Sequence, residues 1–240
     1  MGEEPREVKR DVLLRSTGTT SAHVKKLVEK GLFEVYERAS GSLSATTRPG
    51  KRKELSTAQR TALNDLRAAL ENKAVCLLHG VTASGKTELY MELIAATMER
   101  GEQTLYLLPE IALTTQVIGR LRDRFGDRVS VFHSRLSPRE RTELWLGMLN
   151  DPAGHPLIVG ARSALFLPFH KLGLIVVDEE HDASYKQHEP SPRYNARDMA
   201  VVLAALHGAK TVLGSATPSM ESFFNAHNGK YGLAELLVRH

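Results

Sequence analysis

Residues 74–87 read Ala74-Val75-Cys76-Leu77-Leu78-His79-Gly80-Val81-Thr82-Ala83-Ser84-Gly85-Lys86-Thr87. An apolar run, Ala74 to Leu78, enters a turn with Gly80 and Gly85 five residues apart and Lys86-Thr87 directly after. Helical periodicity follows over residues 86–99. Strand, glycine-bounded turn and helix, in that order and spacing, is the setting of a phosphate-binding loop. Glycines let backbone N–H groups curl around an anion, and the helix N-terminus adds a favourable partial charge. Lys86 is spaced to reach β- and γ-phosphates, and the Thr87 hydroxyl to ligate Mg²⁺. The full spacing in its strand–helix setting argues against a Gly-rich turn that binds nothing. Residues Gly80, Val81, Thr82, Ala83, Ser84, Gly85, Lys86 and Thr87 are therefore the candidate nucleotide site.

Outward from this loop the chain alternates. Short apolar runs at 75–78, 105–108, 129–132, 157–159, 174–177 and 211–213 read as strands apolar throughout, hence buried on both faces. Helical stretches at 55–72, 86–99, 114–125, 137–149 and 196–206 lie between most of them, with Ser56 as the cap of the first. Alternating units of this kind predict an α/β domain with a mostly parallel sheet and helices on both sides.

The run Leu174-Ile175-Val176-Val177 ends in Asp178-Glu179-Glu180-His181. Ligands of open α/β sheets sit at the carboxyl ends of strands, so Asp178 is placed to hold Mg²⁺ directly or through water. Glu179 is the candidate base for an attacking water. An acidic helix cap after a core strand is the alternative for this tetrad alone; its position behind a phosphate loop favours chemistry.

Before residue 54 the pattern differs. Val8, Val12 and Leu13 could line one helix, 16–20 is a turn cluster, and Ser21 can cap a second helix with Val24, Leu27 and Val28 on one face. Gly31 ends it, and residues 32–37 look like a strand. Helix, turn, helix and strand outline a winged helix-turn-helix, with His23, Lys25, Lys26 and Lys30 off the apolar face where they could meet phosphates. A small packing module that binds no DNA fits the same pattern. Residues 39–53 are small, polar and basic, and read as a linker.

Composition sets outer bounds. The 240 residues are 42% hydrophobic and 25% charged, ordinary for a globular protein. One cysteine, Cys76, excludes a disulfide framework or a multi-cysteine zinc site within this chain, and packing is its expected role. No apolar run approaches the ~18 residues of a spanning helix. The N-terminus lacks a basic-then-apolar export pattern, and Arg6 stands where a myristoylation signal needs Ser or Thr. A reducing cytoplasm, with no membrane partner, is the expected compartment. The net charge of +4 comes from a basic surplus in the first 53 residues, which suits either a polyanion contact or a solvated basic tail.

Further stretches carry a resemblance. With the two motifs above, Gly214-Ser215-Ala216-Thr217-Pro218 resembles superfamily 2 helicases of the Asp-Glu-x-His type. Leu108-Pro109-Glu110-Ile111-Ala112-Leu113-Thr114, Gly160-Ala161-Arg162-Ser163-Ala164-Leu165-Phe166 and Asp178 through Gln187 are similar to the primosomal replication-restart helicases of the PriA family, over residues 55–225. The resemblance implies a RecA-like lobe at 55–240, preceded by a partial winged-helix module at 1–40 and a basic linker at 41–54. It implies an ATP-dependent 3′-to-5′ DNA helicase that acts at stalled or abandoned forks to allow primosome assembly, with ATP and Mg²⁺ as cofactors. Forked or junction DNA, single-stranded-DNA-binding protein and other primosome proteins are the implied partners. Lys86, Asp178, Glu179 and His181 would be catalytic, Thr87 and Asp178 would hold Mg²⁺, and Gln59 is similar to the glutamine that reads adenine. His181 and Gly214, Ser215, Ala216 and Thr217 would couple nucleotide state to movement. Arg162 and Ser163, with Pro109-Glu110, match segments bordering the DNA path, and residues 185–197, including Tyr185, Arg193 and Tyr194, match an aromatic-rich DNA-sensing loop.

Three departures bear on this. Ala83 stands where many members have Gly, which is expected to be harmless at a position of negative φ. Ala161 replaces a common Thr. The loop around 188–194 lacks tryptophan, leaving Tyr185 and Tyr194 as stacking groups. The second lobe with its arginine finger, the zinc module and the DNA-end-binding domain of the family find no counterpart in the 240 residues, so the expectation is a fragment. A non-catalytic DNA- and partner-binding fragment, another superfamily 2 translocase, or a small-molecule kinase are the alternatives; the Asp-Glu-Glu-His box and Ser-Ala-Thr motif speak against the last.

Overall fold

Six apolar runs of the sequence become six parallel strands, and a seventh strand joins their edge. The computed structural model describes residues 21–29 and 54–239. The chain divides into two compact units, 1–44 and 45–240. In the first, the described part is helix α1 (Ser21–Glu29), with Val24 buried, Leu27 and Val28 half-buried, and His23 and Lys26 exposed, which matches the face read from the sequence. The Lys25 side chain, the helix placed before residue 16, the strand at 32–37 and the linker lie outside the described residues.

The second unit runs α2 (Thr57–Asn72), β1 (Val75–Gly80), α3 (Lys86–Glu99), β2 (Gln103–Leu107), α4 (Thr115–Phe125), β3 (Val129–Phe132), α5 (Pro138–Asn150), β4 (Leu157–Gly160), β5 (Leu172–Asp178), α6 (Ala196–His207), β6 (Lys210–Ser215), α7 (Met220–His227) and β7 (Gly232–Leu236). The sheet order is β3-β4-β2-β5-β6-β1-β7, and every pairing is parallel. Side chains alternate across the pleat. Cys76, Leu78, Tyr106 and Val176 therefore face Leu63, Leu66, Leu70, Leu89, Ile94, Leu121 and Phe125 of α2, α3 and α4. Leu77, Leu105, Ile175 and Leu213 face Met148, Ala200, Ala204 and Ala226 of α5, α6 and α7. Each layer buries one helix face, and the alanines of α6 allow close approach to the sheet.

Local chemistry fixes the helix ends. Ser56 and Gln59 form a reciprocal capping box on α2, as Ser137 and Glu140 do on α5. Thr114 caps α4, and Gly208 ends α6 in the left-handed region. The sequence pattern did not announce α7 or β7. The edge strand β7 alternates buried Gly232, Ala234 and Leu236 with exposed Leu233 and Glu235, so it lacks the all-apolar signature of the central strands. It seals the P-loop strand from outside: Gly232 pairs with Cys76, and Val81 N–H donates to Leu236 O at 3.1 Å.

Helix α2 rests so closely on this edge that a Cβ at Gly232 would lie 2.7 Å from the Ala69 methyl and 3.2 Å from Cys76 Sγ. Gly232→Ala is expected to lower stability by about 1–3 kcal/mol through overpacking, measured as a lower urea midpoint at unchanged m.

Candidate nucleotide site at the carboxyl edge of the sheet

The loop between β1 and α3 wraps a cavity of about 350 Å³ lined by Gln59, residues 82–88, Asp178 and Glu179, with Glu54 and Arg120 at its border. Gly80 leaves little room for a side chain: a Cβ would lie 3.1 Å from both Lys86 Cγ and Ser84 Oγ and 3.2 Å from Leu236 O, so these neighbours would have to shift. Gly85, the residue before α3, takes φ +91°, a glycine conformation that turns the chain into the helix. Lys86 is buried, and its Nζ donates to Gly80 O at 2.8 Å and stands 3.8 Å from Glu179 Oε1. Among the described residues, the buried Ser84 Oγ has no hydrogen-bond partner. An orphaned buried hydroxyl beside a buried ammonium in a glycine-bounded loop fits an anionic phosphate.

Ala83 corrects the sequence reading. Its φ is +62°, in the left-handed region, not the negative φ expected for it. The Cβ is tolerated because Ala83 is exposed, but the conformation carries strain of about 1–2 kcal/mol.

Asp178 ends β5 directly across the cavity. Its Oδ1 accepts from Tyr90 Oη at 3.1 Å and from Glu179 N at 3.1 Å, and its Oδ2 accepts from Tyr106 Oη at 3.1 Å. Burial, then the neighbouring Glu179 charge, raises its carboxyl to about 6, against opposing effects of the two tyrosines and Lys86. Two adjoining carboxylates beside the Thr87 hydroxyl are a fitting donor set for a hard divalent cation, which would relieve that unfavourable ionisation. Glu179 takes φ +48°, so consecutive side chains diverge: Asp178 points to the tyrosines while Glu179 faces Lys86 and His181, 3.7 Å away.

His181 joins its tetrad to the downstream Gly214–Pro218 motif. Its Nδ1 lies 2.7 Å from Ser215 Oγ and its Nε2 3.3 Å from Thr217 Oγ1, and Thr217 N donates to Ser215 Oγ at 3.0 Å. Gly214 lies beside Asp178 in the sheet register, and Ala216 is half-buried between these partners. Gln59 is almost fully buried: its Oε1 accepts from Ser56 N and its Nε2 donates to Ser84 O at 3.3 Å. In this structure it ties α2 to the phosphate loop while lining the cavity.

The residues assigned to DNA are less uniform. Tyr185 is corrected: it is buried, and its hydroxyl donates to Asp178 O at 2.7 Å, so it is not available to stack on a base. The reason is tertiary, since the short turn at 183–185 folds its ring beneath β5. Tyr194 is half-buried and meets the exposed Phe166 edge-to-face at 5.3 Å; Phe166 was not singled out from the sequence. Arg193 and Ser163 are exposed. Arg162 donates to Ser184 O and Lys186 O, bracing the start of the loop. Tyr90, Tyr106 and Arg120 also escaped the sequence reading, and Glu180 and Arg197, read only as members of the tetrad and of the 185–197 loop, were given no role of their own. Buried Glu180 accepts from Ser219 N, Ser219 Oγ, Ser222 Oγ and Arg197, tying its tetrad to the first turn of α7 and to α6. The one available signal was a tyrosine inside an otherwise apolar strand, since a buried hydroxyl needs a partner.

The parallel sheet, the phosphate loop and the carboxylate tetrad on the next strand but one define a RecA-like helicase lobe. A family profile for DEAD/DEAH box helicases matches residues 56–224, and the chain belongs to that family. A winged-helix profile of PriA helicases in Bacteroidota matches residues 1–39. Among curated relatives, replication restart protein PriA of Bacillus subtilis is 42% identical over 95% of this chain and 28% of its own length. PriA of Chlamydia pneumoniae is 38% identical over 95% of the chain and 31% of its own. PriA of Rickettsia typhi is 47% identical over 71% of the chain and 26% of its own. The chain thus spans about a quarter to a third of the relatives it matches. In fold it is similar to RecG bound to a three-way DNA junction, with TM-score 0.53 at 24% identity over 77% of this chain and 24% of that one. It is likewise similar to the restriction-modification enzyme LlaBIII bound to DNA, with TM-score 0.53 at 18% identity over 77% of this chain and 15% of that one.

Ala83→Gly is expected to relieve the left-handed strain. The gain is partly offset by a freer unfolded chain, for a net rise of about 0.5–1 kcal/mol seen as a higher thermal midpoint. The Asp178 shift has a defined sign. Its folded value, about 6, lies above the ordinary 3.8 of a free aspartate, so its contribution to stability is full below pH 4 and is lost as pH rises through 6. In cation-free buffer, Asp178→Asn is expected to raise the thermal midpoint at pH 7.5, with the gain vanishing towards pH 4; equal effects at both pH values would contradict this.

Proposed function

We propose that this chain is the nucleotide-binding lobe of an ATP-dependent 3′-to-5′ DNA helicase that acts at stalled or abandoned replication forks to allow primosome assembly. The observation that carries this reading is the convergence of Lys86, Thr87, Asp178 and Glu179 on one cavity. In that cavity the loop amides and Lys86 bind the phosphates, with the γ-phosphate replacing Glu179 as the partner of Lys86. Thr87 and Asp178 hold Mg²⁺, which neutralises phosphate charge when bound. Glu179 takes the proton of the attacking water, and its contact with His181 passes the change to Ser215 and Thr217. Gln59 is the adenine contact, which requires it to share the amide now used by Ser84.

We read residues 1–40 as a partial winged-helix DNA-binding module, 41–54 as a basic linker and 55–240 as the lobe. Lys25 and Lys26 contact phosphates, and Arg162, Ser163, Arg193 and Tyr194 border the strand along the lobe. Single-stranded-DNA-binding protein and other primosome proteins are proposed partners in the cytoplasm, and zinc is proposed only for a part of the full-length protein outside these 240 residues. A second lobe is expected to supply the arginine finger, worth ~10³–10⁵ in rate in related enzymes. The PriA relatives, named for replication restart, support this reading over another superfamily 2 translocase.

By itself the 240-residue chain is expected to bind Mg·ATP and turn it over negligibly, with or without forked DNA. Lys86→Ala should abolish binding, while Glu179→Gln should retain it. Robust turnover that disappears in Glu179→Gln would mean a complete site forms here and would overturn the two-lobe account. Unchanged nucleotide binding in Lys86→Ala would overturn the assignment of the loop.

A further inference from the structure

Three tyrosines surround the end of β5, and the hydrolytic machinery described above uses none of them. Tyr90 comes from the second turn of α3, Tyr106 from the middle of β2 and Tyr185 from the turn after the carboxylate tetrad. All three are essentially without solvent exposure. Burial, and then the Asp178 charge, push all three hydroxyls well above the ordinary phenol value, so each remains a donor. Tyr185 fixes the backbone, donating to Asp178 O at 2.7 Å. Tyr90 and Tyr106 fix the carboxylate itself, one oxygen each, and their rings meet edge-to-face at 5.7 Å.

The acceptor count at this carboxylate is informative. A carboxylate oxygen offers two lone-pair sites. Oδ1 accepts from both Tyr90 Oη and Glu179 N and is full. Among the described residues, Oδ2 accepts from Tyr106 Oη alone and so keeps one site. Tyr90 is locked in place from the other side, because its hydroxyl occupies the space a Cβ would need at Gly214. That close approach requires glycine at 214, independently of any role in movement.

We infer that Tyr90 and Tyr106 are positioning residues for the divalent cation: they orient Asp178 so that the remaining acceptor site of Oδ2 faces the ligand. The inference rests on the nucleotide reading above and adds to it the part of the fold that aims the carboxylate. Tyr106 matters more than Tyr90, because removing its hydroxyl frees the ligand-facing oxygen, whereas Oδ1 without Tyr90 still has Glu179 N.

The test is calorimetric titration of a non-hydrolysable ATP analogue into this chain at a series of Mg²⁺ concentrations and in EDTA, with thermal midpoints measured alongside. Tyr106→Phe is expected to keep the affinity in EDTA but to need about three- to tenfold more Mg²⁺ for half of the metal-dependent gain. Tyr90→Phe is expected to need less extra Mg²⁺ than that, though more than wild type. In an Asp178→Asn background, adding Tyr106→Phe should change the Mg²⁺ dependence no further. Mn²⁺ in place of Mg²⁺ gives a second readout, since the spin-resonance spectrum of the bound ion should differ between wild type and Tyr106→Phe. Wild-type Mg²⁺ dependence in Tyr106→Phe, or a further shift on the Asp178→Asn background, would overturn the inference alone. If Tyr106→Phe does not fold, an unshifted Tyr90→Phe overturns it. A wild-type chain that binds no analogue under any condition would overturn the nucleotide reading and this inference with it.

Discussion

Parallel pairing of β1, β6 and β5 in a single register is the constraint on which the site depends. Leu78 lies opposite Gly214, and Gly214 lies opposite Asp178, so three separate sequence motifs end at the same level of the sheet. A slip of one residue in β5 would turn Asp178 away from the cavity, and a slip in any of the three would exchange that strand's two helix-facing sets of side chains. The register is held by burial on both faces, where Leu77 and Leu78, Val176 and Val177, and Val212 and Leu213 pack against opposite helix layers. The stability of the sheet and the placement of the chemistry are thus one arrangement.

Within that frame the tetrad Asp178-Glu179-Glu180-His181 distributes four adjacent polar side chains to four different surroundings. Asp178 goes to the tyrosines, Glu179 to Lys86, Glu180 into the hydroxyls of Ser219 and Ser222 and the Arg197 guanidinium, and His181 to Ser215 and Thr217. The positive φ of Glu179 makes this divergence possible in so short a segment. A fully buried carboxylate such as Glu180 is tolerated because donors saturate it and a cation accompanies it. Two further ion pairs, Arg120 with Glu88 at 2.7 Å and Arg124 with Glu92 at 2.8 Å, fasten α4 to α3 and hold the helix that begins at the phosphate loop. The ligand-facing edge is thereby held from both helix layers.

Most of the sheet was legible because a central parallel strand must be apolar on both faces, a pattern that survives in one dimension. The strand at 232–236 was not, because an edge strand buries one face only and alternates like a loop. Helix α7 was missed for a related reason: Met220, Phe223 and Phe224 are exposed, so its short sequence shows no clean apolar stripe. Among site residues, Lys86, Asp178, Glu179 and His181 stand at fixed distances from motif glycines or strand ends, and the structure brings them to one edge. Tyr185 and Ala83 were misread because their conformations follow from packing and loop geometry, to which residue type is a weak guide.

The sequence by itself determined the α/β class, the two-faced strands, the phosphate loop and the carboxylate tetrad, since each is a local pattern with a local physical cause. Tertiary structure alone decided the neighbours of each group. Tyr90 and Tyr106 reach Asp178 across separations of 88 and 72 residues, and Glu180 meets Ser222 across 42. Hydrogen bonds at that range follow from which strands sit side by side and which helices cover them. That order is set by burial of the whole sheet, which no single segment encodes.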